Sequence, residues 1–142
     1  LHCNASFSKD VTGTHLYLNN SMGEIQAGGS VGATNSVLRR EEITALSQDD
    51  FLEHSRKFAS ILQDELESFS GRTVPLTEIP LVTLSGVYMP ALLVELGYLS
   101  NGVDRENLVD QTSALIVATT IAEAVLRYSA SLNPAQENTD GG

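Results

Sequence analysis

One carboxylate interrupts an otherwise apolar run in Pro90-Ala91-Leu92-Leu93-Val94-Glu95-Leu96-Gly97-Tyr98-Leu99-Ser100-Asn101. Ala91 to Leu96 is apolar on both alternating faces, the pattern of a parallel strand covered by helices on each side. An unpaired ionised carboxylate in that setting is costly, so Glu95 must be neutralised, hydrogen-bonded or held beside a cation. Open α/β sheets bind ligands at the carboxyl ends of their strands, and Glu95 sits near such an end. It reads equally well as a reactive group or as an acceptor for the loop that follows. A second cluster opens the chain, Leu1-His2-Cys3-Asn4-Ala5-Ser6. On a strand His2 and Asn4 share one face and Cys3 takes the other, so His2 and Cys3 cannot easily ligate one metal together. A catalytic zinc needs three protein ligands and an open position, and no HExxH spacing supplies them. Glu95 and His2 together suggest metal-assisted hydrolysis. His15 belongs to the strand face opposite Leu16 and Leu18 and could reach the same site. His54 falls on the charged flank of a helix and is expected to be exposed.

The elements that must position these groups alternate. Strands are predicted at Leu1–Ala5 and Thr14–Leu18, followed by a small, Gly-rich surface loop over residues 20–40 that ends in Arg39-Arg40. A helix follows, capped by Asp49 or Asp50, with a buried stripe of Phe58, Ile61, Leu62, Leu66 and Phe69 and a stop at Gly71. Glu53, Arg56, Lys57, Asp64 and Glu67 read as its solvated face, with Glu53 and Lys57 spaced for a surface pair. Pro75 and Pro80 lead to a short strand at Leu81–Leu84, then to the strand bearing Glu95 and a turn at Asn101-Gly102. Asp104 is predicted to cap a last helix, whose Leu108, Leu115, Ile116, Ile121, Ala122, Val125 and Leu126 form a wide apolar face against the sheet. This alternation predicts a three-layer αβα domain with a mixed, mostly parallel sheet over residues 1–132. The polar tail, 133–142, is expected to be disordered.

At 142 residues and 42% hydrophobic the chain suffices for one core. Eighteen acidic against eight basic residues give a net charge of −10. That charge disfavours nucleic acid and anionic membrane surfaces as partners. The apolar stretch Gln111 to Ala122 is too short and too rich in Thr to span a bilayer, so no membrane insertion is expected. A single cysteine excludes an internal disulfide and a Cys-based zinc cluster. The abrupt opening inside a strand reads as a cut in a longer protein.

His2-Cys3-Asn4-Ala5, Gly13-Thr14-His15-Leu16-Tyr17 and the block from Met89 to Asn101 resemble the zinc-dependent N-acetylmuramoyl-L-alanine amidases over roughly residues 1–128. The block Pro90-Ala91-x-x-Val94-Glu95-x-Gly97-x-x-Ser100-Asn101 is specific. The resemblance implies a mixed sheet flanked by helices, a zinc (Zn2+) cofactor held by two His and one Glu, and peptidoglycan as partner. His2 would match the second zinc histidine and Glu95 the catalytic glutamate. The remaining ligands belong to a motif that would precede Leu1, so the chain looks like the C-terminal portion of the catalytic domain and incomplete by itself. Position 15 carries His where the family more often has an acidic residue. The implied activity is hydrolysis of the amide between N-acetylmuramic acid and L-alanine, outside the cytoplasm of a bacterium, in its periplasm or cell wall. The alternative is a non-catalytic peptidoglycan-binding or regulatory relative.

Overall fold

Four short strands, β1 (His2–Asn4), β2 (His15–Asn19), β3 (Leu76–Ile79) and β4 (Leu93–Tyr98), form one sheet in the order β1-β4-β2-β3. The computed structural model describes residues 1–20, 48–84 and 87–132. The Gly-rich 20–40 segment beyond Asn20 and the 133–142 tail lie outside the described residues. β1 runs parallel to β4 and β2 parallel to β3, whereas β2 and β4 are antiparallel. The sheet is therefore mixed and mostly parallel, as the sequence predicts. Alternation decides its faces. Leu16 and Leu18 are fully buried and Val94 nearly so, while His15, Tyr17 and Glu95 point the other way. A one-residue slip would exchange the two sets, and burying a Leu side chain is worth about 1.5–3 kcal/mol, so the register is firmly specified.

Helix α1 (Gln48–Ser70) covers the apolar face. Its buried positions Ser55, Ala59, Leu62 and Leu66 recur at helical spacing, with Phe58 and Ile61 packed partly against the same core. Phe69, expected in that stripe, falls in the final turn and is 54% exposed. Gly71 ends the helix at φ +63° and donates its N–H to the Glu67 carbonyl at 2.8 Å. Asp49 and Asp50 already lie within the helix, one and two residues after its first.

The charged side of α1 does more than face solvent. Arg56 grips Glu78 of β3 through two hydrogen bonds of 2.7 and 2.9 Å and also reaches Glu53. The expected Glu53–Lys57 pair gives way to this three-residue set, and Lys57 donates to the Ser131 carbonyl. Gln63 and Glu67 clamp the backbone of Val74, at its carbonyl and its N–H. Ser55 accepts the N–H of Ala91, tying α1 to the entrance of β4.

Three further expectations are corrected. The strand predicted at Leu81–Leu84 lies earlier, at Leu76–Ile79, and Val82–Leu84 is a 3-10 turn. Pro80 has no N–H to extend the ladder, and Leu81 donates instead to the Asn19 side chain at 2.8 Å. The single closing helix is two, α2 (Gly102–Val109) and α3 (Gln111–Leu132). Asp110 between them is extended, and its carboxylate accepts the N–H of Ser113, capping α3. The wide apolar face is not buried as predicted. α3 packs through Thr120, Ile121 and Ala124, while Leu115, Val125 and Leu126 are exposed. It docks chiefly on α1, with Phe58 against Tyr128 and an ion pair between Arg127 and Glu65. At 22 residues and mean hydropathy 1.3 in its most apolar window, α3 meets the length and composition for crossing a bilayer, which the shorter stretch read from sequence did not.

Candidate active site

Register brings three candidate residues into one row across the sheet. His2 on β1 is opposite Glu95 on β4, and Glu95 is opposite His15 on β2. Directly opposed residues of an antiparallel pair share a face with Cβ atoms about 5 Å apart, so His15 stands beside Glu95. Glu95 is only 9% exposed, and its Oε2 is buried with no hydrogen-bond partner. His2 is exposed. His54 lies on the exposed side of α1, away from this row, as the sequence predicts.

His15 leans away from Glu95 toward β3. Its Nε2 is 3.0 Å from the Thr77 hydroxyl, and its ring stacks on Tyr17 with centroids 4.3 Å apart. Burial lowers the His15 pKa, and the nearby Glu95 charge opposes this only in part. Burial likewise raises the Tyr17 pKa, helped by Tyr98 and Glu95. Tyr17, Tyr98 and Glu95 therefore gather over the same part of the sheet.

The residues after Glu95 hold this arrangement. Between His2↔Glu95 and Asn4↔Tyr98 the register advances two residues on β1 and three on β4, which is a β-bulge. Beyond it, Leu99 donates to the Asn4 carbonyl and Ser6 N–H to the Ser100 hydroxyl. Asn101, not Asp104, caps α2. Its side chain accepts the N–H groups of Val103 and Asp104 and donates to the Lys9 carbonyl.

Asp104 has another role. Buried to 7% exposure, it accepts the Thr12 hydroxyl at 2.5 Å, Gly13 N–H at 2.9 Å and Tyr98 N–H at 2.8 Å. Burial pushes its carboxyl up, but these hydrogen bonds and the Arg72 charge outweigh that and hold its pKa below the ordinary value. The loop after β1 is thus stitched to the turn after β4. Sequence reasoning missed this use of Asp104 and the meeting of Tyr17 with Tyr98. Asn101-Gly102 as a cap with an acid three residues on was the available signal for the first. Nothing in strand alternation signals the second.

The match to the N-acetylmuramoyl-L-alanine amidase family model covers residues 1–127, and the chain belongs to that family. Similar solved structures include the catalytic domain of CwlV, an N-acetylmuramoyl-L-alanine amidase from Bacillus (Paenibacillus) polymyxa var. colistinus. It has 23% identity and a TM-score of 0.61, covering 89% of this chain and 54% of that one. An N-acetylmuramoyl-L-alanine amidase from Clostridium difficile 630 has 21% identity and a TM-score of 0.64, covering 91% and 55%. The CwlD amidase of Clostridioides difficile, solved in complex with the GerS lipoprotein, has 17% identity and a TM-score of 0.61, covering 91% and 52%. At these identities the likeness shows the fold, an α/β architecture consistent with three layers. The chain spans about half the length of these solved chains. No curated protein matches it significantly.

The donors of this site bear on whether it suits zinc. The unpartnered Glu95 oxygen and the exposed His2 in register with it suit a proton-carrying carboxylate beside one metal ligand. Among the described residues no three His, Cys, Asp or Glu side chains gather into a metal set. The described part therefore fits a share of such a centre and not the whole of it.

Proposed function

We propose that residues 1–132 form the C-terminal portion of an amidase catalytic domain. The intact protein would hydrolyse the amide between the lactyl group of N-acetylmuramic acid and L-alanine in bacterial peptidoglycan, in the periplasm or cell wall. The observation that carries this reading is the buried, unpartnered carboxylate oxygen of Glu95, in register with His2, in a chain of the amidase family. His2 would be one ligand of a zinc ion completed by residues outside those described. Such an ion polarises the scissile carbonyl and acidifies water.

The chain's own part is proton movement. Glu95 takes a proton from the attacking water as the water oxygen bonds to the carbonyl carbon. It delivers that proton to the alanine nitrogen as the C–N bond breaks. A buried carboxylate oxygen left without a hydrogen-bond partner, as Oε2 of Glu95 is, is free to accept it, which an oxygen already taken up by loop N–H groups would not be. The loop N–H groups of Gly13 and Tyr98 are met by Asp104, which supports the reactive reading of Glu95 over the structural one.

The test is release of free L-alanine amino termini from purified peptidoglycan by the intact, zinc-supplied protein, wild type beside Glu95→Gln. Release that vanishes in a folded variant with zinc still bound supports the proposal. No release from the folded, zinc-loaded wild type would favour a peptidoglycan-binding relative that has lost catalysis.

A further inference from the structure

Tyr98 has no part in the reaction as described, yet the chain takes unusual trouble to place it. Simple alternation would put residue 98 on the opposite face from residue 95. The bulge cancels this. Its extra residue, at Leu96-Gly97, turns Tyr98 back to the face of Glu95, His15 and Tyr17. Gly97 adopts φ +158°, and a Cβ there would meet the Asp104 carboxyl at 3.2–3.3 Å. Asp104 then fixes the turn by accepting the Tyr98 N–H, while its other bonds anchor it to Thr12 and Gly13.

We propose that Tyr98 contacts the substrate: its side chain, turned to the Glu95 face by the bulge while Asp104 holds its backbone N–H, donates a hydrogen bond from its hydroxyl to the carbonyl oxygen of the scissile amide. This rests on the amidase reading and adds a residue to it. An amide under attack asks for two things on opposite sides of its carbon, a donor for the oxygen and a proton carrier for the nitrogen. A half-buried phenol on the same sheet face as a buried carboxylate can supply both. The hydrogen bond strengthens as charge develops on oxygen, so its effect falls on kcat. Asp104 acts through Tyr98 and is a positioning residue.

The experiment uses the intact, zinc-loaded protein and a soluble muramyl-peptide, with kcat expressed per folded molecule. Tyr98→Phe should keep the melting temperature and KM and lose about 100-fold in kcat, the usual cost of one oxyanion donor. Asp104→Ala should lower kcat too. Asp104→Asn should largely restore it, because its amide oxygen can take the two N–H groups while its NH2 faces the Thr12 hydroxyl. Asp104→Ala introduced into Tyr98→Phe should lower kcat no further, as expected of two residues acting as one unit. Wild-type kcat in Tyr98→Phe, or effects of the two residues that multiply, would overturn the inference with the amidase reading intact. An inert, folded wild type would overturn the amidase reading and this inference with it.

Discussion

At the scale of single residues, Glu95 and His2 differ in what surrounds them, and their variants should fail differently. Glu95 is buried with an oxygen unspoken for, so Glu95→Gln preserves shape and removes the proton carrier. Turnover by the intact protein should fall by at least about 100-fold, the lower range for loss of a general base, with zinc content unchanged by elemental analysis. Among the described residues His2 is exposed, on an outer strand of the sheet, and has little packing to lose. His2→Ala should leave the melting temperature near wild type. Zinc affinity should drop by more than the roughly 10–100-fold that follows loss of a ligand's supporting partner, measured by chelator competition. Zinc binding unaffected by His2→Ala would remove it from the ligand set.

At the scale of elements, Asp104 joins three segments: the loop before β2, the end of β4 and the first turn of α2. Its folded pKa lies below its unfolded value, so its contribution is fully present above the ordinary carboxylate pKa near 3.8. It is lost as pH falls through the depressed folded value. Urea unfolding at about pH 5 and about pH 2, which bracket the titration of a paired carboxylate, should therefore show a loss of stability in wild type that is smaller in Asp104→Asn. Gly97→Ala adds a Cβ against that carboxyl in a backbone conformation that side chains rarely adopt. It should cost about 1–3 kcal/mol in the same assay. Leu62, 1% exposed between α1 and the sheet, should cost about 2–5 kcal/mol when truncated to Ala.

At the scale of the molecule, the described residues present one row, His2–Glu95–His15, and no three-donor metal set among themselves. The 142-residue chain by itself should therefore bind zinc weakly and surrender it readily to a chelator, in contrast to the intact protein. Stoichiometric, chelator-resistant zinc on this chain would show that further ligands lie within it, His15 being the first to test. The sheet that carries the row is covered by α1, and α3 is held chiefly against α1, helix on helix, with Ala124 reaching the shared core. That explains how a closing helix with so much exposed apolar surface, Leu115 and Leu126 among it, is still held in place by Ile121, Ala124 and Tyr128.

The sequence by itself determined the α/β alternation, the apolar face of Leu16, Leu18 and Val94, the helix stop at Gly71 and the two blocks that carry the family likeness. These are local matters, set by residue type and by periods of 2 and 3.6 that neighbouring residues impose on one another. Only the tertiary structure decided which strands pair, and so that His15 stands beside Glu95. Register belongs to two segments about eighty residues apart in sequence, and neither segment alone contains it. The same holds for Asp104, a plausible helix cap by position, whose partners Thr12 and Gly13 lie more than ninety residues away. Tyr98 is the clearest case. Strand alternation assigns it to the wrong face, and one extra residue in the pairing of β4 with β1 turns it back to the face of Glu95.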